Sequence, residues 1–276
     1  LSSAYLLISH GSRDPRPQIA IEKLAELVRA KLGTQDATWT PTRGDYASPK
    51  NHTVQLPDAE RTAVKTTVVS SAWYPLVGTA ALELAPLPLH EQIRQFATVA
   101  LSAGCNQLEL LPLFLLPGVH VMEDIPAEVA LAQQSLGQAI VMNHRPHLGA
   151  HPSLGKMLAS QLATVDADAK ILLSHGTRRS GGNDPVEAVA NYLGAVAAYW
   201  SMKPTLEEQL VALADAGHTR IAILPYFLFS GGITDAIAQS VLSLQERFSK
   251  LQLSLFNPIG VSSELVDLIV DLIEEK

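Results

Sequence analysis

The sequence predicts an α/β protein of two similar halves, each a four-stranded, mainly parallel sheet flanked by helices. Two observations predict it. First, Leu6-Leu7-Ile8-Ser9-His10-Gly11-Ser12-Arg13 is answered by Ile171-Leu172-Leu173-Ser174-His175-Gly176-Thr177-Arg178. Likewise, Leu111-Pro112-Leu113-Phe114-Leu115 with Gly118 is answered by Leu224-Pro225-Tyr226-Phe227-Leu228 with Gly231. Second, short apolar runs alternate with stretches whose apolar residues recur every three or four positions, such as Ile19, Leu24, Leu27 and Val28, or Leu206, Leu210 and Leu213. That is the pattern of strands alternating with amphipathic helices.

In chain order, a first strand is expected at 5–9, ending directly before His10. A helical pattern follows, and then residues 33–75, rich in Pro, Gly, Thr and Ser, interrupt the alternation. We read this stretch as an insertion, either a lid or a decoration, with 65–72 as a candidate extra strand. Strands are next expected at 79–84, 107–113 and 139–142. A helix ending at Ala103-Gly104 precedes the second of these, and Pro117-Gly118 turns the chain after it. Glu123-Asp124-Ile125-Pro126 opens a helix, with its acidic residues favoured near the N-terminus. The second half repeats the plan with strands at 170–174, 195–200, 220–226 and 252–256. The repeats divide the chain into residues 1–164 and 165–276. Strands this continuously apolar are covered on both faces, so ligands are expected beyond their carboxyl ends.

Composition narrows the function. Among 276 residues, 47% are hydrophobic and 17% charged, as in a soluble globular protein, and the net charge of −7 argues against a nucleic-acid partner. No apolar run reaches membrane-spanning length, so no membrane partner is expected. Residues 1–8 lack a basic segment and a small-residue cleavage site and do not read as a signal peptide. The single cysteine, Cys105, cannot form an internal disulfide and reads as structural, consistent with a cytoplasmic location.

Three side chains stand out for chemistry. His10 follows an apolar strand and precedes a glycine, and His120 follows another apolar strand after the Pro117-Gly118 break. Either imidazole alone would be an ordinary packing residue, but two at neighbouring strand ends form a ligand-binding edge. Glu83 falls in the apolar run 80–84, where an unpaired carboxylate is costly to bury, so it is either a salt-bridge partner or a third ligand. Two imidazoles and one carboxylate suit a borderline divalent ion with a position left open for substrate. Asp124 either caps its helix or orients a metal-bound imidazole. His144, His147 and His151 are either a second metal site or, the reading we favour, loop residues near the cleft, and His52, His90 and His218 read as structural ones.

Together, Ser9-His10-Gly11-Ser12-Arg13, Leu82-Glu83-Leu84 and Pro112-Leu113-Phe114-Leu115-Leu116-Pro117-Gly118-Val119-His120 with Glu123-Asp124-Ile125-Pro126 resemble the class II sirohydrochlorin chelatases in their long, tandem-repeat form. The resemblance implies two chelatase-like halves facing each other across a cleft. It also implies insertion of a divalent metal, Co2+ or Fe2+ with Ni2+ as a further candidate, into sirohydrochlorin on the way to cobalamin or sirohaem. The metal is a substrate, and no organic cofactor is implied. The family's metal-binding histidines fall on His10 and His120, its carboxylate on Glu83, and its substrate loop on residues 115–119. Ser12 and Arg13 join the substrate contacts. The chain is expected to act as a monomer, a fused pseudo-dimer.

Counting by offset, position 120 corresponds to Ile233 in the second half and position 83 to Trp200, so only His175 of the three ligands is repeated. One metal site is therefore expected, in the first half. Because the substrate is acidic, Arg13 and also Arg16, Arg145, Arg178 and Arg179 are candidates for pairing with its carboxylates, beside His175 and Thr177. His10 is the candidate base for pyrrole protons. Protons compete with metal for imidazole, so activity should fall as pH drops. Two rivals remain: a non-catalytic metal or tetrapyrrole carrier, and a phosphohistidine-type phosphoryl-transfer enzyme. The second is weakened by Ser9 and Ser174, which stand where that class has arginine.

Overall fold

A computed structural model describes residues 3–35 and 75–274. Most of the 33–75 stretch lies outside the described residues, as does His52; its first residues close the helix α1 (Pro15–Gln35). Two four-stranded sheets are present, each parallel throughout. The first, in order β2-β1-β3-β4, comprises β1 (Ser3–Ser9), β2 (Leu76–Ala81), β3 (Gln107–Pro112) and β4 (Val141–His144). The second, in order β6-β5-β7-β8, comprises β5 (Ala169–Ser174), β6 (Val196–Tyr199), β7 (Arg220–Pro225) and β8 (Gln252–Leu255).

All eight expected strands form, with β2 and β4 displaced. The expected 79–84 becomes Leu76–Ala81 because β2 pairs residue for residue with β1, from Ala4 opposite Leu76 to Ser9 opposite Ala81. Where β1 ends, its partner ends. Leu82 and Leu84 are apolar but lie past the ladder. The expected 139–142 becomes Val141–His144 for the same reason, since β3 begins at Gln107 and pairs it with Val141.

One compact unit contains the first sheet. Its even-numbered β1 and β3 residues, Leu6, Ile8, Leu108 and Leu110, pack with Phe96 of α2 (Leu89–Ser102) and Ile125 of α3 (Ile125–Leu136). The opposite face is covered by α1 and by the C-terminal helix α8 (Ser263–Glu274), which lies against α1 and β3. This face buries the carboxylate of Glu109, which accepts 2.8 Å hydrogen bonds from Asn143 Nδ2 and Arg145 Nε. A buried charge is tolerated only when paired in this way.

The other unit contains the second sheet, with α6 (Leu206–Asp215) and α7 (Gly232–Arg247) on one face. On the other face lies α5 (Asp184–Leu193), joined by α4 (Leu154–Leu162). By sequence, α4 closes the first repeat and α8 the second, so each unit takes its last helix from the other repeat.

Candidate metal centre

The centre lies in the first unit, beyond the carboxyl ends of β1, β2 and β3. His10 is the first residue after β1. The β1–β2 ladder continues past both strands through Leu82 N–H to Ser9 O (2.8 Å) and Glu83 N–H to His10 O (2.9 Å). Gly11 has φ +96°, and a Cβ there would lie 1.9 Å from the Glu83 carbonyl oxygen, so only glycine allows this approach. Glu83 is thus pinned beside His10. It is not in a buried strand, as its sequence context implied: strand β2 ends at Ala81, and both the Glu83 and His10 side chains are about half exposed, at 51% each. No burial penalty has to be met by a partner.

His120 arrives from β3. After Leu113 N–H bonds Ile8 O (2.7 Å), the chain passes Phe114 and the 115–118 loop and enters a π-helical turn, His120–Asp124, at the head of α3. Such turns carry one extra residue and recur at functional sites. Here the turn brings Asp124 behind His120, with Nδ1 2.7 Å from Asp124 Oδ2. A carboxylate only accepts, so Nδ1 carries the proton and Nε2 keeps its lone pair. His10 is oriented likewise, its Nδ1 donating to Gly11 O at 3.3 Å.

One ligand atom from each of His10, Glu83 and His120 lies within 4.8 Å of the others. The two imidazoles meet edge to face, with ring centroids 4.9 Å apart at 84°. Phe114 stands 6.3 Å from each ring centroid and supplies an apolar neighbour that was not among the residues expected at the site. Its position after a strand end is the signal that could have found it. Two nitrogens and a carboxylate at this spacing can hold one divalent ion and leave coordination positions open.

The other candidates divide. Arg13 is exposed and has no side-chain partner among the described residues. Ser12 is exposed, and its Oγ accepts from Asp14 N–H at 3.0 Å. Arg16 is engaged elsewhere, with Nη2 2.6 Å from Asp14 Oδ2, and this guanidinium holds the Asp14 carboxyl at about 2. Arg145 is occupied by Glu109. These two arginines each already pair with a carboxylate of the protein. Leu115–Gly118 group with the second unit, where Tyr226 Oη lies 3.5 Å from Leu115 O, whereas Val119 groups with the centre.

His147 is half-buried, and loss of solvent pushes both it and His144 below their ordinary value, His144 adding to the effect at His147. His151 is buried and accepts from Ser153 N–H, His90 pairs with Glu128, and His218 lies 3.6 Å from Asp168.

In the second unit, the same ladder extension runs Trp200 N–H to Ser174 O and Ser201 N–H to His175 O. The counterpart of Glu83 is therefore Ser201, not Trp200. Counting back from the following helix misplaced it because that connection is one residue shorter. Ser201 Oγ donates to His175 O at 2.9 Å, and Ile233, the residue that corresponds to His120 by sequence offset, lies in the first turn of α7. His175 keeps the local geometry, donating Nδ1–H to Gly176 O at 3.0 Å, without a carboxylate or second imidazole at these positions. Thr177 holds the neighbouring loop through Asn183, and Arg178 and Arg179 are exposed.

Comparison with known proteins agrees with the two-sheet α/β fold and its repeat. The CbiX family model matches the chain twice, over residues 52–165 and 169–276. A sirohydrochlorin cobaltochelatase of Priestia megaterium is 21% identical over 66% of this chain and 65% of its own length. A sirohydrochlorin ferrochelatase of the same organism is 27% identical over 39% of this chain and 44% of its own. Each match spans less than two thirds of the relative. Among solved structures, SirB from Bacillus subtilis with Fe3+ superposes with TM-score 0.71 at 19% identity, covering 100% of this chain and 95% of the other.

Proposed function

The chain belongs to the CbiX family, and on that premise we propose that it is a chelatase inserting cobalt or ferrous iron into sirohydrochlorin. The observation that carries this reading is the convergence of His10, Glu83 and His120 to within 4.8 Å at the carboxyl edge of a parallel sheet. The names of the matched relatives, a cobaltochelatase and a ferrochelatase, support both the substrate and the choice of metals. No described helix is long and apolar enough to cross a membrane. We infer a cytoplasmic monomer in which residues 1–164 and 165–276 are the two family repeats.

Insertion exchanges two pyrrole protons for one dication. His10 Nε2, His120 Nε2 and a Glu83 oxygen take the place of part of the metal's water shell. Their exposure leaves the open side of the ion to the macrocycle. As the metal passes to the ring nitrogens, the Nε2 lone pair of His10 is released and accepts one pyrrole proton. Glu83, 4.0 Å away, is placed to take the second. Arg13, exposed three residues beyond His10, supplies a cation for a substrate carboxylate.

The test is anaerobic absorbance spectroscopy of the full chain with sirohydrochlorin and Co2+, Fe2+ or Ni2+ in turn. Wild type should turn over beyond stoichiometry, which a carrier would not. His10→Ala and His120→Ala should each lower the rate by roughly a hundredfold or more, the scale of losing a positioned proton acceptor and ligand. Wild-type rates in both variants would refute the assignment.

A further inference from the structure

Among the described residues, Leu84 is the one non-glycine residue with positive φ, at 58°. A left-handed backbone is costly for a branched, bulky side chain, and such conformations persist where surroundings impose them, often at functional sites. The surroundings here are explicit. The residue before it, Glu83, is held on both sides: its N–H by His10 O, and its carbonyl by contact with Gly11. The chain has to turn at once, and Leu84 takes the turn. Its side chain does not gain burial in return, being 57% exposed.

The second repeat provides an internal control. The residue after Ser201 is Met202, which has no positive φ, and its side chain folds inward. A side chain at Gly176 would collide with it, and its sulfur lies 3.3 Å from Asn183 Nδ2. The outward apolar residue on a strained backbone thus occurs in the repeat that has the metal ligands and not in the one that lost them. Around the same centre, Val119 precedes His120, and Met122 lies within the π-helical turn. Both are exposed, Met122 at 62%.

We propose that Leu84 is a substrate-contacting residue, its apolar side chain held out beside Glu83 to pack against the face of the tetrapyrrole that receives the metal. The proposal rests on the chelatase reading above. A macrocycle with an apolar face and an acidic rim matches ligands flanked in sequence by the exposed apolar residues Leu84, Val119 and Met122, with Arg13 close in sequence to His10.

The experiment uses the full chain and three variants, Leu84→Gly, Leu84→Asn and Leu84→Met, in three measurements: sirohydrochlorin titration without metal, Co2+ titration without tetrapyrrole, and thermal melting. Gly and Asn tolerate positive φ, so neither should lower the melting temperature. Both should weaken tetrapyrrole binding by about tenfold, the order expected for losing one apolar side-chain contact, and leave Co2+ binding unchanged. Met should stay within about twofold of wild type. Wild-type tetrapyrrole affinity in Leu84→Gly and Leu84→Asn would overturn the proposal. So would a parallel loss of Co2+ binding, which would show that Leu84 shapes Glu83 instead of meeting the substrate. Failure of the wild type itself to bind sirohydrochlorin is a separate outcome, and it would overturn the chelatase reading.

Discussion

Behind His120, the Asp124 carboxylate has a physical task that the imidazole cannot perform alone. By accepting the Nδ1 proton at 2.7 Å it sets both the tautomer and the ring direction, and it makes Nε2 a better donor to a cation. Asp124→Ala is expected to weaken Co2+ binding by about 10- to 100-fold, with Asp124→Asn recovering part of the loss because its amide oxygen still accepts. A competition titration reads this directly, and unchanged affinity in Asp124→Ala would show that the contact does not tune His120 as a ligand; the Asp124 side chain makes no capping hydrogen bond to α3. At His147, burial holds the imidazole below its ordinary value of 6.5. The unfolded chain then binds the proton more readily than the folded one. Stability from this group is complete above 6.5 and is lost as pH falls through the lower folded value. Melting temperature should therefore decline from pH 7 toward pH 5, with a shallower decline in His147→Gln. An equal decline in both proteins would show that other groups dominate. The proximity of His10 and His120 was legible in part: His10 directly follows the apolar strand β1, whereas His120 comes eight residues after β3 ends at Pro112, and only the fold returns it to the same edge. Leu84 was not, since its role depends on a backbone torsion that no residue pattern encodes.

The elements show how a strand end is held just before a proposed metal ligand. β2 is an edge strand, and its last residue, Ala81, would have an unpaired N–H and C=O on the outer side. Gln92, buried in α2, satisfies both: Oε1 accepts from Ala81 N–H at 3.0 Å, and Nε2 donates to Ala81 O and Leu87 O at 2.8 Å. Glu83 follows two residues later. Gln92→Glu keeps the shape but removes the donor and sets a carboxylate against two carbonyls. It is expected to cost about 1–3 kcal/mol, seen as a lower melting temperature together with weaker Co2+ binding. Normal binding in a destabilised Gln92→Glu protein would separate the strap from the centre. The Leu89-His90-Glu91-Gln92 and Leu206-Glu207-Glu208-Gln209 motifs made this helix visible as a repeat, and Gln209 Nε2 does bond Ala197 O at 2.7 Å. The ends of β2 and the identity of Ser201 were not visible, because register comes from the partner strand and not from the strand's own apolarity.

At the scale of the whole molecule, the repeat and the compact unit are different divisions of the same chain. Apolar periodicity reveals that α4 and α8 are helices, but not which sheet each covers, since either sheet offers an apolar face of the same kind. α8 buries seven residues, among them Leu265, Ile269 and Leu272, within the unit built on the first sheet. At roughly 1.5–3 kcal/mol per buried aliphatic side chain, and discounting for a compact unfolded state, its packing is worth on the order of 10 kcal/mol. That is comparable to the whole stability of a typical domain, about 5–15 kcal/mol. A fragment of residues 1–164 keeps every proposed metal ligand but lacks this helix, and its own α4 lacks α5. Alone, it is expected to show no cooperative melting and no Co2+ binding, although the ligands are all present. Mixed with residues 165–276, it should recover both, because each fragment returns the helix the other needs. A cooperative melt of 1–164 alone would mean that α1 and β3 do not depend on α8 for cover, and would make the helix exchange incidental to the stability of the metal centre.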